Sequence, residues 1–155
     1  MTFSKSNDQL TGRKPALFPA GCEVVAERFE LDLATGDLAL NTIGAVGILP
    51  AGCVPVDVMV DADDLDTGAA AMVLQVGVWD GSGANLSVAA ADGGAHWGVT
   101  VAANAAFVQR LTPNGNAMSR VAKAASDRFI GVKVATAPTT PAAGKLGVTV
   151  LYRSA

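Results

Sequence analysis

The stretch Val54-Pro-Val-Asp-Val-Met-Val-Asp61 decides the fold class. Val54, Val56, Val58 and Val60 alternate with Pro55, Asp57, Met59 and Asp61, the two-residue period of a half-buried strand. Pro55 cannot donate to a ladder, so this strand is expected to begin at a sheet edge or a bulge. The same period recurs on both sides. Val25, Phe29, Leu31 and Leu33 share one face, with Arg28, Glu30 and Asp32 opposite. Met72, Leu74, Val76 and Val78 make another run, Ile130, Val132 and Val134 a third, and Leu146, Val148, Val150 and Tyr152 a fourth. Weaker candidates are 43–49, 86–90, 98–102 and 107–111. About nine short strands separated by Gly, Pro, Asp and Asn clusters predict an all-β, single-domain antiparallel sandwich or barrel. Only 116–126 has helical spacing, through Met118, Val121, Ala122 and Ala125, and it reads equally as a short helix or as irregular chain.

Residues 1–20 stand apart from the domain expected over 21–155. They carry Lys5, Arg13 and Lys14 against the single Asp8, with Gly12, Pro15 and Pro19, and no periodicity. The reading is an extended arm, either frayed or docked through Phe3, Leu17 and Phe18. Phe18-Pro-Ala-Gly-Cys22 and Leu49-Pro-Ala-Gly-Cys53 share four residues and suit type I turns, with Pro second and Gly fourth. Cys22 and Cys53 pair only if those corners meet, and free buried thiols are the expectation without a secretion signal.

Of 155 residues only 16 % are charged, so either polar uncharged residues or other protein chains must cover much of the surface. A net charge of −3 argues against nucleic-acid binding by phosphate neutralisation. The N-terminus lacks the apolar core of a secretory signal, and the uncharged run 38–56 is broken by Pro50, Pro55 and several glycines, so no membrane partner is expected.

Candidate chemistry is sparse. In Asp61-Ala-Asp-Asp-Leu-Asp-Thr-Gly68, Leu65 and Asp66 occupy positions where an EF-hand needs an oxygen ligand and a glycine, and Met72 stands where it needs a bidentate Glu. The loop is read as Asp side chains capping backbone amides, with cation binding as the alternative. His96, the one histidine, has no partner set for a triad or a two-histidine metal site. Gly77-Val-Trp-Asp-Gly-Ser-Gly83 matches no phosphate-binding fingerprint. Trp79 and Trp97 are read as core or interface aromatics, with glycan stacking as the other use. No catalytic residue, cofactor or metal is expected, and the chain does not read as an enzyme.

Leu40-Asn-Thr-Ile43, Gly47-Ile-Leu-Pro-Ala-Gly-Cys-Val-Pro-Val-Asp57 and Val60-Asp-Ala-Asp-Asp-Leu-Asp66 resemble segments of head-decoration, or capsid cement, proteins of tailed bacteriophages. Leu74-Gln-Val-Gly77, Asp127-Arg-Phe-Ile-Gly-Val-Lys-Val134 and Gly147-Val-Thr-Val-Leu-Tyr-Arg153 continue the likeness, which spans roughly 23–153. The resemblance implies a jelly-roll sandwich that sits as a homodimer or homotrimer on the outer capsid surface of the virion, after synthesis in the host cytoplasm. The implied partners are the major capsid protein and further copies of itself. Phe3, Arg13, Lys14, Leu17 and Phe18 are the expected capsid contacts. The competing reading is a tail or baseplate sandwich binding host glycan through Trp79 or Trp97.

Overall fold

Residues whose side chains alternate between apolar and polar bury one row each, and two sheets facing each other are the way to keep all those rows from water. A computed structural model describes residues 1–21, 23–69, 72–82, 85–102 and 105–155 and shows this solution. Among the described residues nine strands form: β1 (Val24–Leu33), β2 (Ile43–Leu49), β3 (Cys53–Ala62), β4 (Met72–Val78), β5 (Gly98–Ala102), β6 (Phe107–Arg110), β7 (Thr112–Pro113), β8 (Arg128–Thr136) and β9 (Gly144–Ser154). One sheet has the order β1-β9-β3-β6, the other β2-β8-β4-β5-β7. The pairings between these strands are antiparallel. The chain crosses between sheets from β1 to β2 to β3 to β4 before β5 pairs beside β4, and this alternation is the jelly-roll arrangement of two four-stranded sheets, with β7 as a short addition. No described helix is long and apolar enough to cross a membrane.

The inward rows meet as expected. Met72, Leu74, Val76 and Val78 face Ile130, Val132 and Val134 within one sheet, and Phe29, Leu31, Leu146, Val148 and Val150 line the other; all are buried. The sandwich closes tightly where side chains are missing. A Cβ on Gly47 would collide with the Phe29 ring, so this glycine of β2 is the recess that receives an aromatic from the opposing sheet.

Three local expectations change and one open reading is settled. In β3 the register slips between Pro55 and Asp57, the bulge among the two alternatives that Pro55 left open, and the slip reverses the phase of the strand's beginning. Pro55 is buried and Val56 is 42 % exposed, whereas Val58 and Val60 point inward as the alternation requires. Residues 86–90 are not a strand. Leu86 makes a single bridge to Trp79, and Ser87 Oγ then accepts from Ala89 N, which turns the chain away. The segment 116–126 yields one 3-10 turn, Met118–Arg120, too short to persist without the burial of Ala117 and Val121. At Pro50–Cys53 the turn bond runs from Cys53 N to Pro50 O, so Gly52 is third, not fourth, and its φ of 76° makes the turn type II-like. Gly21 has no positive φ, so the two similar pentapeptides do not share this conformation. The question of a Cys22–Cys53 bond falls on Cys22, outside the described residues, while the Cys53 thiol is buried.

Candidate functional site

The N-terminal segment is built onto the sandwich through polar side chains. The free edges of β1 and β2 lie on the same side of the molecule, and exposed edges invite pairing with foreign chains. Residues 1–3 run parallel to β2: Ile43 N donates to Met1 O at 3.0 Å and Phe3 N to Ile43 O at 3.2 Å. Phe3 is half-buried with its ring over Gly44, where any Cβ would strike it. Asp37 holds the next residue, accepting from Ser4 N and Ser4 Oγ at 2.8 Å each. Asn7 Nδ2 then donates to Val46 O at 2.7 Å and Glu30 O at 3.2 Å, one carbonyl from each sheet. Val46 is the unpaired residue of the β2 bulge, so Asn7 satisfies a carbonyl that the ladder leaves open.

Residues 8–14 turn back on themselves, with Arg13 N and Lys14 N both donating to Asp8 O. Leu17 is fastened at both ends of its peptide. Its N–H donates to Glu27 Oε2 at 2.9 Å, and its carbonyl lies 2.6 Å from the Tyr152 hydroxyl, itself 2.9 Å from Glu27 Oε2. Burial, and then the adjoining Glu27 carboxylate, push the Tyr152 phenol well above its ordinary pKa.

Of the five expected contact residues, the structure brings two together. Lys14 and Phe18 line a groove of about 330 Å³ with Gln9, Pro15, Ile48 and Pro50. Phe18 is 60 % exposed and Leu17, adjacent, 50 %. Arg13 is exposed and lies 3.9 Å from Asp8, a separation at which an exposed pair contributes little. Phe3 lies elsewhere, in a second groove with Leu10, Trp79 and Phe129.

The remaining candidates resolve as architecture. Asp66 is fully buried; burial alone would raise its pKa, but amides of Thr140, Thr139 and Gly68 outweigh that and lower it. Asp63 accepts from Lys145 N, so the acidic loop does cap backbone amides. Trp97 is entirely buried, which removes it as a sugar platform. Trp79 is half-buried and meets Phe129 edge-on at 6.3 Å. His96 is half-buried, and burial lowers its pKa. Among the described residues no group of three His, Cys, Asp or Glu could hold a metal.

On the outer face of the β1-β9-β3-β6 sheet, Arg28 reaches across β9 to Asp61, with Nε to Oδ1 at 3.0 Å and a second bond from Nη2 to Oδ2. The residue beneath is Gly147, and a Cβ there would occupy the space of both side chains. Glu30 takes bonds from Arg28 and Lys145, which lower its carboxyl pKa to about 2.

Sequence reading missed Asn7, Glu27 and Gly147. Glu27 had a signal: it lies between Val25 and Phe29 on the inward row, where a lone carboxylate needs a buried partner. For Asn7 and Gly147 no local pattern points to the role, because their partners come from distant strands.

No protein-family model and no curated protein matches the chain. Among solved structures it is similar to a chain in the cyanophage Pam1 capsid asymmetric unit, with 21 % identity over 90 % of each chain and a TM-score of 0.52, a likeness of fold. It is also similar to a chain in the capsid of Ralstonia phage GP4, with 30 % identity over 97 % of each chain and a TM-score of 0.74. Likeness of sequence and architecture through nearly the whole of both chains makes the protein a member of the same family as this Ralstonia phage GP4 capsid chain.

Proposed function

We propose that the protein is a phage head-decoration, or cement, protein that binds the outer surface of the major capsid protein lattice and stabilises the DNA-filled head. The observation that carries this reading is the 30 % identity to a chain of the Ralstonia phage GP4 capsid over 97 % of both chains. The role is structural, and the acting species is a homodimer or homotrimer. Each contact with a capsomer is weak, and linking several in one oligomer raises the total hold. Exposed Phe18, Leu17, Lys14 and Arg13 form the capsid-facing surface, and Phe3 anchors the segment that carries them.

The test is the copy number of this chain per major capsid protein in gradient-purified particles, by quantitative mass spectrometry. A protein that follows the symmetry of the shell should be present at about one third to one copy per shell subunit. A ratio of a few per cent would transfer it to the tail or one vertex, with glycan binding as its role. Absence from particles would overturn the reading.

A further inference from the structure

A third groove, of about 450 Å³, adjoins the Pro50–Cys53 turn, as does the one that holds Phe18. Val54, Val56, Met118 and Val121 supply its apolar surface, and Lys123 and Arg153 its charge. The two grooves are tied to one turn. Pro50 lines the first, while Gly52 N donates to Ala124 O next to Lys123, and Ala155 N, beyond Arg153, donates to Gly52 O.

The charge here runs against that of the protein. The chain has 14 acidic and 11 basic residues, yet no acidic side chain lines this groove. Lys123 and Arg153 are exposed and make no ion pair among the described residues; Arg153 Nη1 bonds only the carbonyl of Ser154. Arg120, exposed on the neighbouring 3-10 turn, adds a third cation without an ion pair among the described residues. The nearby carboxylates, Glu23 and Asp127, are each engaged by a backbone amide, Ala20 N and Ala51 N. By contrast, the acidic outer face of the same sheet is already matched, Arg28 and Lys145 against Glu30, Asp32 and Asp61.

The apolar part is also placed by a specific device. The bulge at Pro55 turns Val56 outward, and Val24, Arg153 and Val54 stand side by side across β1, β9 and β3. Val24 and Val56 are 49 % and 42 % exposed. A bulge that re-aims a valine to solvent in a groove shared with Lys123 and Arg153, neither in an ion pair among the described residues, makes a surface for a chain that is both apolar and acidic.

We infer that this groove receives an acidic segment with apolar side chains from the capsid shell protein, its carboxylates on Lys123 and Arg153 and its apolar groups on Val54 and Val56. The inference rests on the decoration reading and extends its contact surface from Lys14, Leu17 and Phe18 to the other groove at this turn.

Purified heads that lack this chain are mixed with wild-type protein, the Lys123→Glu/Arg153→Glu double variant, Val56→Asp, and Phe18→Asp. Bound protein is read by co-sedimentation over a salt series. Thermal melting confirms that each variant is folded, and sedimentation velocity reports the oligomer. The expected result is a loss of at least about tenfold in affinity for the double variant, with a weaker salt dependence than wild type, and a loss for Val56→Asp with its charges intact. If both groove variants bind like wild type while Phe18→Asp does not, the groove is no contact and the decoration reading stands. If the groove variants change oligomeric state in the absence of heads, the occupant is a second copy of this chain and the inference is overturned. If wild type itself does not bind heads, the decoration reading fails first.

Discussion

Glu27 on β1 and Tyr152 on β9 meet inside the sandwich with their oxygens 2.9 Å apart, and together they grip both ends of the Leu17 peptide. Val25 pairs with Tyr152 and Glu27 with Val150, so the two side chains are diagonal neighbours on the inward face. A carboxylate on a core-facing row is costly unless bonded, and here the bonding partners include the segment that closes the sheet edges. Core and N-terminal segment are thereby one unit, which makes deletion of residues 2–20 a poor test of capsid contact and surface substitutions at Lys14 and Phe18 a better one.

Tyr152→Phe keeps the ring and removes the hydroxyl, whose single proton is shared between two acceptors, Leu17 O and Glu27 Oε2. A buried group stripped of its hydrogen bond costs about 1–3 kcal/mol, and that loss should appear in urea unfolding. Limited proteolysis should cut residues 8–18 faster than in wild type, while far-UV circular dichroism of the folded protein stays unchanged. Equal protease resistance would show that the Tyr152 bond does not hold the segment.

Asn7→Ala releases Val46 O and Glu30 O together. The expected cost is about 1–2 kcal/mol, less than the sum for two buried carbonyls because water reaches the opened edge. Amide exchange should rise at Phe3 and Ile43, whose mutual pairing Asn7 supports from a few residues away.

Gly147→Val places a branched side chain under the Arg28–Asp61 bridge. In wild type it should destabilise more than Arg28→Ala, because both break the bridge but the added side chain also overlaps the Asp61 carboxylate. In an Arg28→Ala background the same substitution should cost less. The double-mutant cycle should therefore show coupling, where independent sites would add to within about 0.5 kcal/mol.

Acid should weaken the fold through Glu30. Its folded pKa of about 2 lies below the ordinary carboxyl value of 4.5, so the unfolded state binds the proton first. The contribution is fully present above pH 4.5 and is lost as pH falls from there towards 2. Thermal midpoints measured across this window should drop less steeply for Glu30→Gln than for wild type, and the two curves should differ most near neutral pH.

Alternation by itself determined that the chain is all-β and, outside the start of β3, which residues of the main apolar rows face inward, because side chains on a strand point to opposite faces whatever their partners. Eight of the strands expected from that period form where it placed them in outline, and Pro55 announced the irregularity at the start of β3, as an edge or a bulge. Strand order was not legible: period two is the same for every neighbour, and β1 finds β9 from the far end of the chain. The phase of Val54 and Val56 was misread for a related reason, since a bulge is settled by the register with β9 and not by β3 alone. The candidate site divides in the same way. Exposed Lys14, Leu17 and Phe18 were visible as basic and apolar residues in a segment without period. What holds them in place, Glu27, Tyr152 and Asn7, and what lies in the other groove at the same turn, Lys123 and Arg153, are joined only by folding, which brings together groups separated by a hundred residues and more.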